Sequence, residues 1–211
     1  MKVLLACEES QAVAKEFRAL GHEAYSCDVL PTSGDNPEWH IQGNVLNYLN
    51  DGWDMIIGFP PCTYMTNAGA VWMYPKKGQV DPLRLEKAMQ AKKFFMSIYN
   101  AKAKYIAIEN PLPMKIVGLP DKSQVIQPYE FGDPYSKKTY LWLKNLPLLK
   151  PTNVLTEYQP FINGGGGRLT RPNYQNKKFA AGAFNRSKTF PGIAKAMAQQ
   201  WSNATPSDLR L

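Results

Sequence analysis

No apolar run in this 211-residue chain approaches the roughly 20 residues that a membrane-spanning helix needs. The opening MKVLLAC is too short for the apolar part of a secretion signal and runs directly into Glu8 and Glu9. A cytoplasmic enzyme or binding protein is therefore expected, with no membrane partner. Cysteine is scarce: Cys7, Cys27 and Cys62 make an odd count without ligand spacing, and His22 and His40 do not complete a metal cluster with them. A disulfide framework is therefore not indicated and a zinc site is argued against, so no metal is expected. Free cysteines of this kind are commonly small buried side chains, the default reading of Cys7 and Cys27.

Acidic residues are missing from one long stretch. Between Glu157 and Asp208 there is none, whereas Arg168, Arg171, Lys177, Lys178, Arg186, Lys188 and Lys195 fall there. Residues 1–60 carry nine acids and three bases, so the remainder of a +8 chain carries +14. Clustered positive charge is the footprint of a polyanion partner, most simply nucleic acid; the alternative is a solvated basic face. No stable protein partner can be deduced.

What is present reads as alternating strands and helices. KVLLAC (2–7) suits a buried parallel strand. Residues 10–20 place Val13, Phe17 and Leu20 on one helical face, with Ser10 as N-cap and Gly21 as C-cap. HEAYSCD then ends a second strand at Asp28, completing a βαβ unit. Residues 31–41 read as loop, Asn44 follows a short extended piece, and 45–52 as one or two helical turns. WDMIIG (53–58) is a third buried strand, broken by Pro60 and Pro61 just before Cys62. Residues 81–100 are helical, Tyr105–Ile108 form a strand ending at Glu109-Asn110-Pro111, and 139–143 form another. Phe190–Trp201 is a last helix packing through Ile193, Met197 and Trp201. There is no internal repeat.

The expected architecture is an α/β fold with a mostly parallel central sheet and helices on both faces. It divides into a catalytic core over 1–146, a basic Gly/Pro/Asn-rich excursion over 147–187, and a helix over 188–211 returning to the core. Gly164–Gly167 either let a backbone approach closely or form a plain linker.

Ligands of such sheets bind beyond the carboxyl ends of the strands. Those ends carry Glu8–Ser10, Asp28, Pro60–Cys62 and Glu109–Asn110. Asp28, ending the second strand, suits the hydroxyls of an adenosine ribose, or else caps a turn. Cys62 follows two prolines, so its thiol is held stiffly, and a nearby helix start or cation would raise its thiolate fraction.

Ile57-Gly58-Phe59-Pro60-Pro61-Cys62 resembles the Pro-Cys nucleophile motif of the DNA cytosine-5 methyltransferases, in a compact form like those of phages and prophages. Ile108-Glu109-Asn110-Pro111 resembles that family's Glu-Asn motif. Gly132-Asp133-Pro134 through Lys137 and Thr139 resembles its Gly-x-Pro turn before two arginines, and the last helix its final motif, which closes the cofactor site. The motifs occur in the family order. The resemblance implies a Rossmann-like methyltransferase fold, S-adenosylmethionine as methyl donor and cytosine-containing DNA as partner. It implies Cys62, Glu109, Lys137 and Thr139 as catalytic, and Cys7, Glu8, Ser10, Asp28, Asn44 and Pro60 as cofactor contacts. Lys137, Arg168, Arg171, Lys177, Lys178, Arg186 and Lys188 would contact nucleic acid.

The chain departs from the family in four places. Its first loop, Cys7–Ala12, has no glycine; Asn44 replaces an acid; Lys137 and Thr139 replace arginines; and only about forty residues remain for target recognition. Alternatives are a pyrimidine-modifying enzyme acting on free nucleotide or single-stranded DNA, and an inactive nucleic-acid-binding relative. Phe59-Pro60-Pro61-Cys62 also resembles the Pro-Pro-aromatic motif of amino methyltransferases, but with Cys62 in the aromatic position and no task for Glu109.

Overall fold

The computed structural model describes residues 1–161 and 188–203. Strands β1 (Lys2–Ala6), β2 (Glu23–Asp28), β3 (His40–Gln42), β4 (Met55–Gly58) and β5 (Tyr105–Asn110) run parallel. Strand β6 (Gln124–Ile126) lies at the far edge, and β8 (Thr139–Lys144) runs antiparallel between β5 and β6. The sheet order is β3-β2-β1-β4-β5-β8-β6. A small parallel pair, β7 (Tyr135–Ser136) with β9 (Gln159–Pro160), stands apart. Among the described residues, four helices accompany the strands: α1 (Ala14–Ala19), the short α2 (Ala70–Met73), α3 (Pro82–Tyr99) and α4 (Pro191–Trp201). This is the expected mostly parallel α/β, Rossmann-like architecture.

Strand side chains alternate between two cores, as the period of two requires. Val3, Leu5, Met55, Ile57, Tyr105, Ala107 and Leu141 pack with Phe17 of α1 and Ile193, Met197 and Trp201 of α4. Leu4, Ala6, Ile56, Ile106, Ile108 and Trp142 point the other way and pack with Phe95 and Ile98 of α3. Both sheet faces are thus covered, which is why the strands read as continuous apolar runs rather than alternating ones. Helix α4 needs glycine at 192, since a Cβ there would sit 2.0 Å from the Phe131 carbonyl. The Gly192 N–H instead donates to Asp133 Oδ2 at 2.9 Å.

Several expectations are corrected. Helix α1 starts at Ala14, not beside Ser10, whose hydroxyl only accepts from Ala12 N–H at 3.4 Å. The amides at its start, which have no intrahelical partner, go to Glu8, whose Oε1 accepts from Val13 N–H at 2.6 Å and Oε2 from Ala14 N–H at 3.2 Å. A carboxylate at a helix start outcompetes a hydroxyl because it takes two donors and carries charge of the favoured sign. Gly21, at φ +78°, does close the helix in the left-handed region. The loop expected over 31–41 contains the start of β3, and the turns over 45–52 shrink to a single turn at Val45–Asn47. Strand β6 was not anticipated; three residues give no period to read. Of the excursion over 147–187, residues 147–161 are described and include β9.

Burial holds the Glu8 carboxyl up, from 4.5 to about 7, against the lowering effect of the two amides. The sign follows by linkage. A folded-state value above the unfolded one means the folded chain holds the extra proton between those limits, so stability is lost as pH rises through that window. The loss amounts to about 3 kcal/mol, at roughly 1.4 kcal/mol per pH unit. Urea unfolding at pH 5 and pH 8 should show this slope in the wild type and a flatter one in Glu8→Gln. An unchanged slope would remove Glu8 as its source.

Candidate active site

The end of β4 extends by one further parallel bond, Phe59 N–H to the Ala6 carbonyl at 2.8 Å, before the prolines stop the ladder. Pro60 is buried and Pro61 exposed. The Pro60 carbonyl accepts from Asn110 Nδ2 at 3.2 Å, so the end of β5 holds the segment leading to Cys62. Asn110 is fully buried, and its Oδ1 has no hydrogen-bond partner. The Cys62 carbonyl accepts from the N–H groups of Met65 and Thr66, both at 3.0 Å, folding the chain into a tight turn. That turn is stitched to the loop after β5 by Asn67 N–H to the Leu112 carbonyl at 2.8 Å and Met114 N–H to the Met65 carbonyl at 2.7 Å. Arg84 of α3 adds a third tie, donating from Nη2 to the Thr63 carbonyl at 3.1 Å while its guanidinium lies over Tyr64.

Cys62, Glu109, Lys137 and Thr139 come together. Burial pushes the Cys62 thiol up, nearby Glu109 pushes it further, and Lys137 pulls it back without winning. Lys137 thus acts in the expected direction without setting the net one. A cation is present, but desolvation and the carboxylate outweigh it, because both disfavour a second negative charge. Burial also raises the Glu109 carboxyl, opposed by Lys137 and by a hydrogen bond with Thr139. The Thr139 hydroxyl also lies 3.1 Å from the Lys137 carbonyl, as its donor. Thr139 arrives here because β8 enters the sheet antiparallel beside Glu109 and Asn110.

Lys137 is held by aromatic rings that the sequence reading missed. Its Nζ lies 5.8 Å from the Phe161 ring centre and 5.7 Å from that of Phe190. Phe161, Phe190 and Tyr135 pack edge to face or tilted, at 5.0–5.7 Å between centres. Ring faces are electron-rich and suit an ammonium, so they fix it beside the acid. Their signal was faint: aromatic residues on either side of a glycine-rich stretch. Glu109, Lys137, Thr139, Lys188, Thr189, Phe190 and Ile193 line one narrow cleft.

The cofactor-side residues are a mixed set. Cys7 sits in the left-handed region at φ +62°, and burial, Asp28 and Cys27 lift its thiol to about 12, which disfavours its thiolate. Glu8 is buried, and both of its carboxyl oxygens accept from amides at the start of α1. Asp28 at the end of β2 uses Oδ1 to accept from Leu30 N–H at 2.9 Å, the turn role weighed for it; a carboxylate has a second oxygen for a ribose diol. Asn44 is exposed and caps the next turn through Leu46 N–H at 3.1 Å. Asp28 thus keeps one carboxylate oxygen outside its turn, whereas both oxygens of Glu8 are engaged. Lys188 is placed in the cleft and donates to Ser33 Oγ at 3.1 Å. Arg168, Arg171, Lys177, Lys178 and Arg186 lie outside the described residues, as do Gly164–Gly167. Among the described residues, no group of acids, cysteines and histidines could hold a metal, and no helix is long and apolar enough to cross a membrane.

Neither a protein-family profile nor a curated protein sequence matches the chain. Among solved structures, it resembles an E. coli prophage-encoded protein described as a candidate DNA modification methyltransferase. The two are 14% identical, with a TM-score of 0.44 over 72% of this chain and 51% of the other. The chain thus spans about half the length of that protein.

Proposed function

We propose that this chain is an S-adenosylmethionine-dependent cytosine-5 methyltransferase acting on DNA, with Cys62 as nucleophile. The observation that carries this reading is the meeting of Cys62, Glu109 and Lys137 at adjoining strand ends. Cytosine C5 is too weak a nucleophile to take a methyl group unaided. Addition of the Cys62 sulfur to C6 makes C5 electron-rich, the thiol proton leaving to solvent. Glu109 serves this step in its protonated form, donating to N3 as negative charge builds on the ring. Its raised affinity for the proton suits that donation.

Protonation of Glu109 also removes its repulsion of the thiolate, leaving Lys137 as the charge facing Cys62. The two raised groups are therefore matched: the acid that must keep its proton and the thiol that must lose one each ease the other. When bound, S-adenosylmethionine supplies an electrophilic methyl group. After methylation, the C5 proton leaves to solvent and the electron pair expels Cys62, restoring the ring. A cytosine in duplex DNA must first be turned out of the stack. The basic excursion within 147–187 would then meet the flanking phosphates, with a steep salt dependence.

Lys137 and Lys188 in one cleft with Glu109 favour a second reading, in which the substrate is a pyrimidine nucleotide or single strand whose phosphate they receive. A mechanism-based trap separates the two. Cytosine carrying fluorine at C5 cannot lose a proton there and should leave a covalent adduct at Cys62, read by mass spectrometry. An adduct with duplex DNA supports the first reading, and one confined to single-stranded DNA or free nucleotide supports the second. No adduct with any of them would sink both.

A further inference from the structure

We infer that Phe161 is a positioning residue for the nucleophile, acting through Lys137. Its ring holds the Lys137 ammonium where it faces both Cys62 and Glu109. This deepens the proposed function and rests on its assignment of Cys62. The segment that carries Lys137 is pinned on both sides. Strand β7 pairs with β9, and the Phe161 N–H donates to the carbonyl of Ser136, the neighbour of Lys137, at 3.0 Å. On the other side the Thr139 hydroxyl donates to the Lys137 carbonyl at 3.1 Å, where β8 enters the sheet beside Glu109 and Asn110.

A fixed backbone does not fix a lysine side chain. Its flexible alkyl stem lets the ammonium wander unless something holds it. Two rings meet it here. Phe161 and Phe190 lie nearly perpendicular, at 76° with centres 5.0 Å apart, and Nζ stands 5.8 and 5.7 Å from those centres. Tyr135 closes the cluster, at 82° to Phe161. Phe190, at the head of α4, is a wall of the cleft that holds Glu109, Lys137 and Thr139; Phe161 is not. The backbone of Phe161 is bonded beside Lys137 and its ring bears on the ammonium, so its way to the reacting atoms runs through Lys137.

The charged or titratable groups around this ammonium are Glu109 on β5, Lys188 ahead of α4 and the Cys62 thiol. Lys137 draws down both the thiol and the Glu109 carboxyl. An ammonium that drifts away weakens both effects, because Coulomb attraction falls with distance. Phe190 also packs against the core that α4 shares with the sheet, whereas Phe161 belongs to neither core. A change at 161 therefore isolates the ring's bearing on Lys137 better than a change at 190.

Iodoacetamide alkylation of Cys62 in the full chain, followed across pH by mass spectrometry, needs neither DNA nor methyl donor. Phe161→Leu keeps an apolar side chain and removes the ring. Its alkylation should be about two- to fivefold slower near neutral pH, the worth of one accessible cation–ring contact, with the pH profile displaced upward. Phe161→Tyr should restore the wild-type profile. In a Lys137→Met background, Phe161→Leu should add nothing, since the group it acts through is gone. In methyl transfer, kcat should fall by a similar factor while KM for DNA holds. An unshifted profile in Phe161→Leu would overturn the inference, as would a change confined to KM. So would an equal shift in Phe161→Tyr, or a further shift on top of Lys137→Met, either of which makes the ring a matter of packing. A wild type without methyl transfer, whose Cys62 still responds to Phe161→Leu, would overturn the proposed activity and support the positioning role.

Discussion

Cys62→Ala should abolish methyl transfer, lowering turnover by at least about 10⁴-fold, as expected for deletion of an attacking group whose step has no uncatalysed substitute. Its effect on folding should be small. Cys62 is half-buried, and the turn it occupies is held by its own carbonyl, the Asn110–Pro60 contact and Arg84, none of which involves the sulfur. The check is a methylation assay beside a thermal melt. Lost turnover with an unchanged melting temperature is the expected pair. Retained turnover would remove covalent catalysis and reopen the amino methyltransferase reading, in which position 62 has no bond to make.

Glu109→Gln should move two measurements in opposite directions. Turnover should fall by about 10²- to 10³-fold, the usual cost of removing one donor to developing charge. Glutamine can still donate from its amide, but it cannot share a proton with the ring. Alkylation of Cys62 by iodoacetamide at neutral pH should instead become faster, because the carboxylate that pushes the thiol up is gone. In the wild type the rate should climb with pH into the range above an ordinary thiol, and in the variant this climb should begin at lower pH. Lys137→Met should shift it the other way, since Lys137 is the group that pulls the thiol down. An unchanged rate in Glu109→Gln would show that the two side chains do not feel one another, and the shared site would fail.

Much of the frame was legible because buried parallel strands advertise themselves. KVLLA, MIIG and YIAI are short, apolar and bounded, and each ended where the chain places its polar groups. Pro60 and Pro61 marked the end of β4 because proline cannot donate to a ladder. The start of α1 was misplaced for a local reason. Ser10 has the right chemistry for a cap, but Glu8, two residues earlier, reaches the amides once the chain turns through the left-handed positions at Cys7 and Gln11. No sequence pattern shows that turn. The net acidity of Cys62 was not legible for a different reason: the balance among burial, Glu109 and Lys137 exists only after three distant segments meet. The aromatic support of Lys137 is likewise tertiary, since Tyr135, Phe161 and Phe190 are far apart in the chain.

The contact between Phe161 and Phe190 has a consequence for how such a protein can diversify. Their rings lie 5.0 Å apart, so two chain segments distant in sequence are pinned together there. Doubling the length of a segment pinned in this way costs only about 0.6 kcal/mol in closure entropy. A change in the length of the sequence between these two rings is therefore expected to leave the sheet, Cys62 and Glu109 in their places.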